Sequence, residues 1–498
     1  MRPLLAAAAL AIALFATPAG QSPARTHVVI VVDGLRPDYV TAALMPRLVA
    51  LGRRGVVFTA HHSVFPTVTR VNASSMVTGV YPEGHGLLGN TIYIPSVNAT
   101  RGLDTGNHEN LEAVARASGS LLTAPSLGEI LRNNGKQLLA VGSGSSGAVF
   151  LLNHAGGPIV HQEFSRPPAL GSRLTERLGS PPAHATPNAA LNHRAVDAYL
   201  TLGLDELHPA VTLLWISDPD TTAHAKGIGS VATRESLKLV DAEIGRVEDT
   251  LRARGALDRT NLIVVSDHGF STHTATLNLD ALVRPFARTM PDGSPDIIVA
   301  EGAIHLRGGG DAARIAAIVA ALQRRPEVGA IFTRPRTSGG YEGVVTGTLS
   351  FEVARWNHAR AGDILVAANW TRDTNAAGYA GTSTQTGVAG HGTSSPFDVH
   401  ATLIAAGPDF REHALSDAPT GNVDLAPTLL RLLHIDPPSP MAGRVIGEGL
   451  RNSRAPSPLN VERSTETVKT PDGAYTLTAH FSSVGGHRYL DFTDVTRR

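Results

Sequence analysis

Five short apolar runs without polar interruption are spread along the chain. They are His27–Val32 (HVVIVV), Gln137–Val141, Val211–Ile216 (VTLLWI), Leu262–Val265 (LIVV) and Ala401–Ala406 (ATLIAA). A strand with one wet face alternates, whereas a strand covered on both faces reads as a continuous run, so these predict buried, parallel strands. Between them the apolar period changes. In Arg234–Arg252 the positions Leu237, Val240, Ile244, Val247 and Leu251 follow the three-and-four spacing of an amphipathic helix. Asp424–Leu433 predicts another helix, with Asp424 as cap and Pro427 tolerated in the first turn. Strand, loop and helix in repetition, with no internal repeat, predict an α/β fold. The architecture is a three-layer α/β/α sandwich around a mostly parallel central sheet.

Residues from about 296 to 375 carry their own strand–helix–strand pattern, with Ala312–Arg324 as the helix, and read as a smaller inserted α+β cap. A glycine- and threonine-rich loop follows from Thr374 to Ser395. After Val461, alternating segments flank the turn signal Pro471-Asp472-Gly473, which predicts a hairpin packed on the same domain. The expected division is a leader over 1–24, a large domain over 25–460 and the hairpin over 461–498.

The leader reading rests on Arg2, the apolar run Leu4–Ala16, and the small residues and prolines from Thr17 to Ala24. The run is shorter than the roughly 20 apolar residues a membrane-spanning helix needs, so it reads as a cleaved signal, with cleavage between Ala19 and Ala24. No later segment is apolar enough to span a bilayer. The mature protein is therefore expected to be soluble and exported, periplasmic or secreted. Acidic and basic residues balance at 43 each, with no basic run. That argues against a nucleic-acid duplex as partner and for a small-molecule substrate. There is no cysteine, so any metal must be held by oxygen and imidazole ligands.

Four of the apolar runs border polar clusters, and in open α/β sheets the ligand crevice lies beyond the strands' carboxyl ends. Asp33 directly follows the first run. Asp220 and His224 follow the third, four apart, and share a face if the segment is helical. Asp267 and His268 follow the fourth, with Gly269 expected to help the backbone turn. His391 precedes the last run, inside the glycine-rich loop. Singly, each has an ordinary reading: a turn cap for Asp33, a turn Asp and a surface His for Asp220 and His224, a solvated loop His for His391. Jointly, three carboxylates and three imidazoles suit Zn²⁺, and Mn²⁺ or Fe²⁺ less well; one bridging ligand would divide them between two ions. The stretch Phe65–Asn90 is dense with hydroxyls, and Val71–Thr78 reads as a helix behind it. A threonine at its start is either a cap or a nucleophile beside an anion-binding helix end.

The segments VVIVVDGLRPDYV, FPTVTRVNASSMVTGVYPEGHGLLGN, ISDPDTTAH, VVSDHG and GHG, in that order, resemble the type I phosphodiesterase/nucleotide pyrophosphatase family of the alkaline phosphatase superfamily. The resemblance runs from about residue 26 to about 440. It implies an alkaline-phosphatase-like fold and hydrolysis of phosphodiester or pyrophosphate bonds through a phosphothreonine at a two-metal site. Position by position it implies Thr69 as nucleophile, with Asn72 matching the motif asparagine, and Asn90 as the residue that holds a phosphoryl oxygen. It further implies one zinc on Asp220, His224 and His391, and another on Asp33, Asp267, His268 and the Thr69 oxygen. Arg70-Val71 stands where the family has Phe-Pro, and Ala73 where it has His, which alters the rim where the leaving group sits. Phosphonoacetate hydrolase-like or phosphomonoesterase activity on the same site is the alternative. The first of these needs lysines beyond the nucleophile, and only Lys136 and Lys226 lie in the first half. A non-catalytic metal binder is a third reading, set against the fact that all seven ligand and nucleophile positions are filled.

Overall fold

A computed structural model describes residues 25–454 and 459–498; the leader read over 1–24 lies outside them. Ten strands form the central sheet. Their order is Ala414–Ser416, Val56–His62, His400–Ala406, Thr260–Val265, Thr26–Val32, Val211–Ile216, Leu138–Gly142, Ile159–Val160 and Ser165–Arg166, with Thr420–Gly421 also paired to Val56–His62. The five from Thr260–Val265 to Ile159–Val160 run parallel.

His400–Ala406 departs from the expected direction: it is antiparallel to both neighbours. An apolar run reports that both faces are covered, and both faces of this strand are. It carries no information on polarity. The consequence for the site is direct, because the residues before this strand, not those after it, reach the edge where the parallel strands end.

The sheet is covered on two sides, as the runs require. Val28, Ile30 and Val32 join Leu214, Ile216, Leu262 and Val264 in one cluster with the helix Val231–Ala253, through Leu237, Val240, Ile244, Val247 and Leu251. Val29 and Val31 face the other way and pack with Leu213, Trp215, Ile263 and Val265 against Ala73, Met76 and Val77 of the helix Thr69–Thr78. Each fully buried Val, Ile or Leu contributes about 1.5–3 kcal/mol. The long helix starts where Ser230 Oγ accepts from the Thr233 N–H at 3.1 Å and is followed by Gly255 at φ +60°.

The second predicted helix forms over Leu425–Leu432, but Asp424 does not cap it. Its carboxylate accepts from the Gly421 N–H at 2.8 Å, the Arg444 N–H at 2.7 Å and the Tyr489 hydroxyl at 2.8 Å. It therefore pins the turn to the C-terminal sheet. That sheet has three strands, Val461–Lys469, Tyr475–Val484 and His487–Arg497, one more than the expected hairpin. The extra turn is Gly485-Gly486, both at positive φ, the conformation a tight hairpin turn demands.

Ile297–Ala300, Ala303–Leu306, Ile364–Ala368, Val328–Thr333 and Leu349–Ser350 build a separate five-stranded sheet, with the helix Ala312–Gln323. The stretch read as a loop over Thr374–Ser395 contains two short strands, Ala380–Ser383 and Ala389–Gly390. Both pair with Ser271–His273, just beyond the Asp267-His268 strand end. That pairing carries His391 to the site.

Candidate functional site

Three strand ends and one returning loop meet at the carboxyl edge of the sheet. Asp33 leaves the first strand with its N–H on the Ile216 carbonyl at 3.0 Å, and the Asp220 N–H in turn reaches the Asp33 carbonyl at 3.1 Å. Gly34 then turns the chain at φ +71°, where a Cβ would lie 3.1 Å from that of Asp220. Asp220 opens the short helix Asp220–Lys226, so Asp220 and His224 do share a face. Gly269 is required for a different reason from the flexibility expected of it. A Cβ there would fall 2.0 Å from the Phe397 carbonyl oxygen, so the position needs an absent side chain.

The six side chains converge. His224 Nε2 lies 3.2 Å and His391 Nε2 3.5 Å from Asp220 Oδ1. His268 Nε2 lies 3.1 Å from Asp267 Oδ2 and 3.4 Å from Asp33 Oδ1, and the Thr69 hydroxyl is 3.3 Å from the same nitrogen. The His268 and His391 rings stack with centroids 3.5 Å apart. Two groups have ligand atoms within 4.8 Å of one another: Asp220, His224 and His391, and Asp33, Asp220 and His268. Asp220 belongs to both. Asp267 enters through its contact with His268.

Three buried carboxylate oxygens here have no hydrogen-bond partner: Asp33 Oδ1, Asp220 Oδ1 and Asp267 Oδ2. Their sister oxygens on Asp33 and Asp267 are satisfied, by the Trp215 indole N–H at 2.9 Å and the Gly34 N–H at 3.1 Å. The imidazoles are sorted the same way. His224 Nδ1 is 2.9 Å from the Ala389 carbonyl, His268 Nδ1 2.9 Å from that of Gly269, and His391 Nδ1 2.7 Å from that of Thr67. A carbonyl fixes the proton on Nδ1 and leaves Nε2 as a lone-pair donor, the arrangement of a metal-ligating histidine. Buried oxygens and lone pairs aimed at one another without protons between them are costly; a divalent cation supplies what the donor set lacks, and these residues fit one.

The electrostatics agree. Burial, and then the charges of Asp267 and Asp220, push the Asp33 carboxyl well above its ordinary range. Burial works in the same direction on Asp220, but the facing imidazoles of His224, His391 and His268 outweigh it and hold the carboxyl low. Burial and the neighbouring His268 push His391 well below the usual imidazole value.

Thr69 is the first residue of its helix, which follows Val68 in extended conformation. Neither Thr67 nor Thr69 caps it: the Thr67 hydroxyl donates to the Thr393 carbonyl at 2.7 Å. Asn72 faces away from the cluster. Its amide accepts from the Val64 N–H at 2.7 Å and donates to the Val64 and Val68 carbonyls, which pins the approach to Thr69. Asn90 Oδ1 accepts from the Arg70 N–H at 3.1 Å, leaving its NH₂ as donor. A cleft of about 400 Å³ opens over the cluster, with Asn90, His224, His391, Gly392, Glu301 and Val366 in its lining.

Two residues escaped the sequence reading. Trp215 sits inside the run VTLLWI; a fully buried indole N–H demands an acceptor, and that was the available signal. Glu301 lies between two strands at φ +58° and accepts from the Asn90 N–H at 2.6 Å. Nothing in its local sequence marks it.

The family described as Type I phosphodiesterase / nucleotide pyrophosphatase matches residues 27–393. The bovine bis(5'-adenosyl)-triphosphatase ENPP4 is 27% identical over 268 residues, 53% of this chain and 52% of its own length. Human ectonucleotide pyrophosphatase/phosphodiesterase family member 1 is 26% identical over 278 residues, 53% of this chain and 27% of its own. The matches thus span about half or less of these relatives. Murine ectonucleotide pyrophosphatase/phosphodiesterase 5, solved as an inactive variant in complex with AMP, superposes with a TM-score of 0.62 at 18% identity, covering 86% of this chain and 100% of that one. The fold is alkaline-phosphatase-like.

Proposed function

The chain belongs to the type I phosphodiesterase/nucleotide pyrophosphatase family, and from that premise we propose that it hydrolyses phosphodiester or pyrophosphate bonds with Thr69 as nucleophile. The observation that carries this is the set of three unpartnered buried carboxylate oxygens facing three Nε2 lone pairs beside one hydroxyl.

Asp220, His224 and His391 would hold one cation, and Asp33, Asp267, His268 and the Thr69 oxygen a second; Asp220 has ligand spacing to both groups. Zinc suits this nitrogen and oxygen set best. The chemistry such cations supply when bound is a lowered hydroxyl pKa and compensation of charge on phosphoryl oxygens. The protein's own residues would supply the rest. Thr69 Oγ attacks phosphorus in line, the ester or anhydride oxygen leaves, and a phosphothreonine forms that water then cleaves. The Asn90 NH₂ and the first N–H of the Thr69 helix donate to a non-bridging oxygen. The Arg70 N–H keeps the Asn90 amide turned for this task. Arg70 itself, where the family has Phe, leaves the nucleotide preference of the relatives unassigned here.

A diester or anhydride is preferred to a monoester because, among the described residues, the two groups around Asp220 are the only clusters with ligand spacing. A doubly charged phosphoryl group calls for a third metal or an arginine clamp. No helix among the described residues is long and apolar enough to cross a membrane. We keep export as a proposal, on the sequence of residues 1–24.

The test is hydrolysis of bis-p-nitrophenyl phosphate against p-nitrophenyl phosphate by zinc-loaded protein, with Thr69→Ala alongside. The diester is expected to lead. The alanine variant is expected to bind metal and lose turnover. Turnover at the unaltered rate in that variant refutes the covalent route, and a lead for the monoester refutes the diester preference.

A further inference from the structure

We propose that the cavity beside the helix Ala189–Ala198 is a binding site for a small organic carboxylate, gripped by Arg194. The cavity measures about 260 Å³ and lies against the outer strands Leu138–Gly142 and Ile159–Val160, away from the strand ends that carry the phosphoester site. Arg194 lines it and is only 9% exposed. Its guanidinium makes one hydrogen bond, from Nη1 to the Leu178 carbonyl at 3.2 Å, and among the described residues no carboxylate lies within ion-pair distance. The nearest acid along its own helix, Asp197, is taken by Arg246 at 2.5 Å and faces His193 at 3.5 Å. Burial holds the Arg194 pKa below its ordinary value.

A buried guanidinium without an anion is unusual, because desolvation must be offset by pairing. Three other polar groups of the cavity are engaged, while the exposed Ser172 and Thr175 hydroxyls also line it. His161 Nε2 bonds the Gly144 carbonyl at 2.9 Å, the Gln162 amide donates to the same oxygen at 3.1 Å, and the Ser165 hydroxyl donates to the Pro168 carbonyl at 3.1 Å. Glu163 also lines the cavity, on its solvent side, and makes no ion pair with Arg194. Val141, Val160, Leu174, Leu191 and Ala195 supply the apolar part of the wall. A planar fork in the wall of a chamber that is part apolar and part polar fits a carboxylate, which it can bind through two parallel bonds, attached to a short hydrocarbon body.

The helix that presents Arg194 also carries Asn192. The Asn192 amide donates to Asp218 Oδ2 at 3.0 Å, and Asp218 Oδ1 accepts from the Thr222 N–H at 3.2 Å in the first turn of the Asp220 helix. An occupant would thus rest on the element that steadies the Asp220 turn.

Isothermal titration of the full protein with 3-methylbutanoate, benzoate and the neutral 3-methylbutanamide tests this. One carboxylate per chain is expected to bind, about tenfold or more tighter than the amide, as a charge-assisted pair requires. Binding should survive in Asp220→Asn, vanish in Arg194→Met, and vanish in Ala195→Leu, which adds bulk at the chamber wall. The absence of binding by either carboxylate overturns the proposal. So does an amide that binds equally well, or a carboxylate site lost in Asp220→Asn but kept in Ala195→Leu, which would place it at the phosphoester site.

Discussion

Trp215→Phe isolates one support of the candidate cation site without touching a ligand. The indole N–H donates to Asp33 Oδ2 at 2.9 Å, and both groups are buried. Phenylalanine keeps most of the ring in the core but removes the donor, so Asp33 would then have a second buried oxygen without a partner beside Oδ1. A hydrogen bond to a charged group contributes about 1.5–3 kcal/mol. That energy now orients Asp33 toward the cluster, so its loss should lower cation affinity by roughly 10–100-fold, the usual effect of removing such a supporting partner. The assay is zinc competition against a chromophoric chelator, paired with urea unfolding of the metal-free protein. A double-mutant cycle with Asp33→Ala in the metal-free state should show coupling of about 1–3 kcal/mol, since the indole acts through that carboxylate. If Trp215→Phe binds zinc as tightly as the unaltered protein, Asp33 is not held for a cation and the reasoning fails.

Asn90→Ala should lower kcat by about 10²–10³-fold while zinc content stays constant, because a donor to the transition-state oxygen is lost; steady-state kinetics with the diester decides it. Gly269→Ala should cost about 3 kcal/mol in urea unfolding, since its Cβ would meet the Phe397 carbonyl oxygen at 2.0 Å; unchanged stability would contradict that close approach. Burial lowers His61 and His85 to about 3, below the unfolded value of 6.5. Above pH 6.5 neither group contributes; as pH falls below it the unfolded chain takes up protons first, and stability drops by about 1.4 kcal/mol per pH unit for each histidine. His27, His305 and His400, which burial lowers to about 4, add to the slope between pH 6.5 and pH 4.5, so the readout is a difference: His85→Gln should flatten the unfolding curve by one histidine's share.

The parallel strands and the long helix were legible because covered faces leave unbroken runs and half-covered helices leave a 3.6-residue period. Val28 and Val29 needed no further information to be placed on opposite faces. The direction of His400–Ala406 was not legible, since its run is equally apolar in either orientation. The third C-terminal strand was missed although Gly485-Gly486 announces its turn. At the site, the positions of Asp33, Asp220, Asp267 and His391 beside strand runs could be read, and the structure brings them together. The roles of their supports could not. Trp215 looks like core, Asn72 looks like a motif residue yet works as a loop pin, and Glu301 reaches Asn90 from a segment more than 200 residues away.

A strand that comes late in the chain yet lies between two earlier ones imposes an order on synthesis. Until His400–Ala406 leaves the ribosome, Val56–His62 and Thr260–Val265 have open backbone edges facing the place it will occupy, and open edges invite pairing with other chains. His391, nine residues ahead of that strand, emerges just before it, and the pairing of Ala389–Gly390 with Ser271–His273 carries it to the site. Nascent protein shortened before residue 400 should therefore be both inert and prone to clump, and a chaperone that shields those two edges would aid production of this protein more than one acting on its termini.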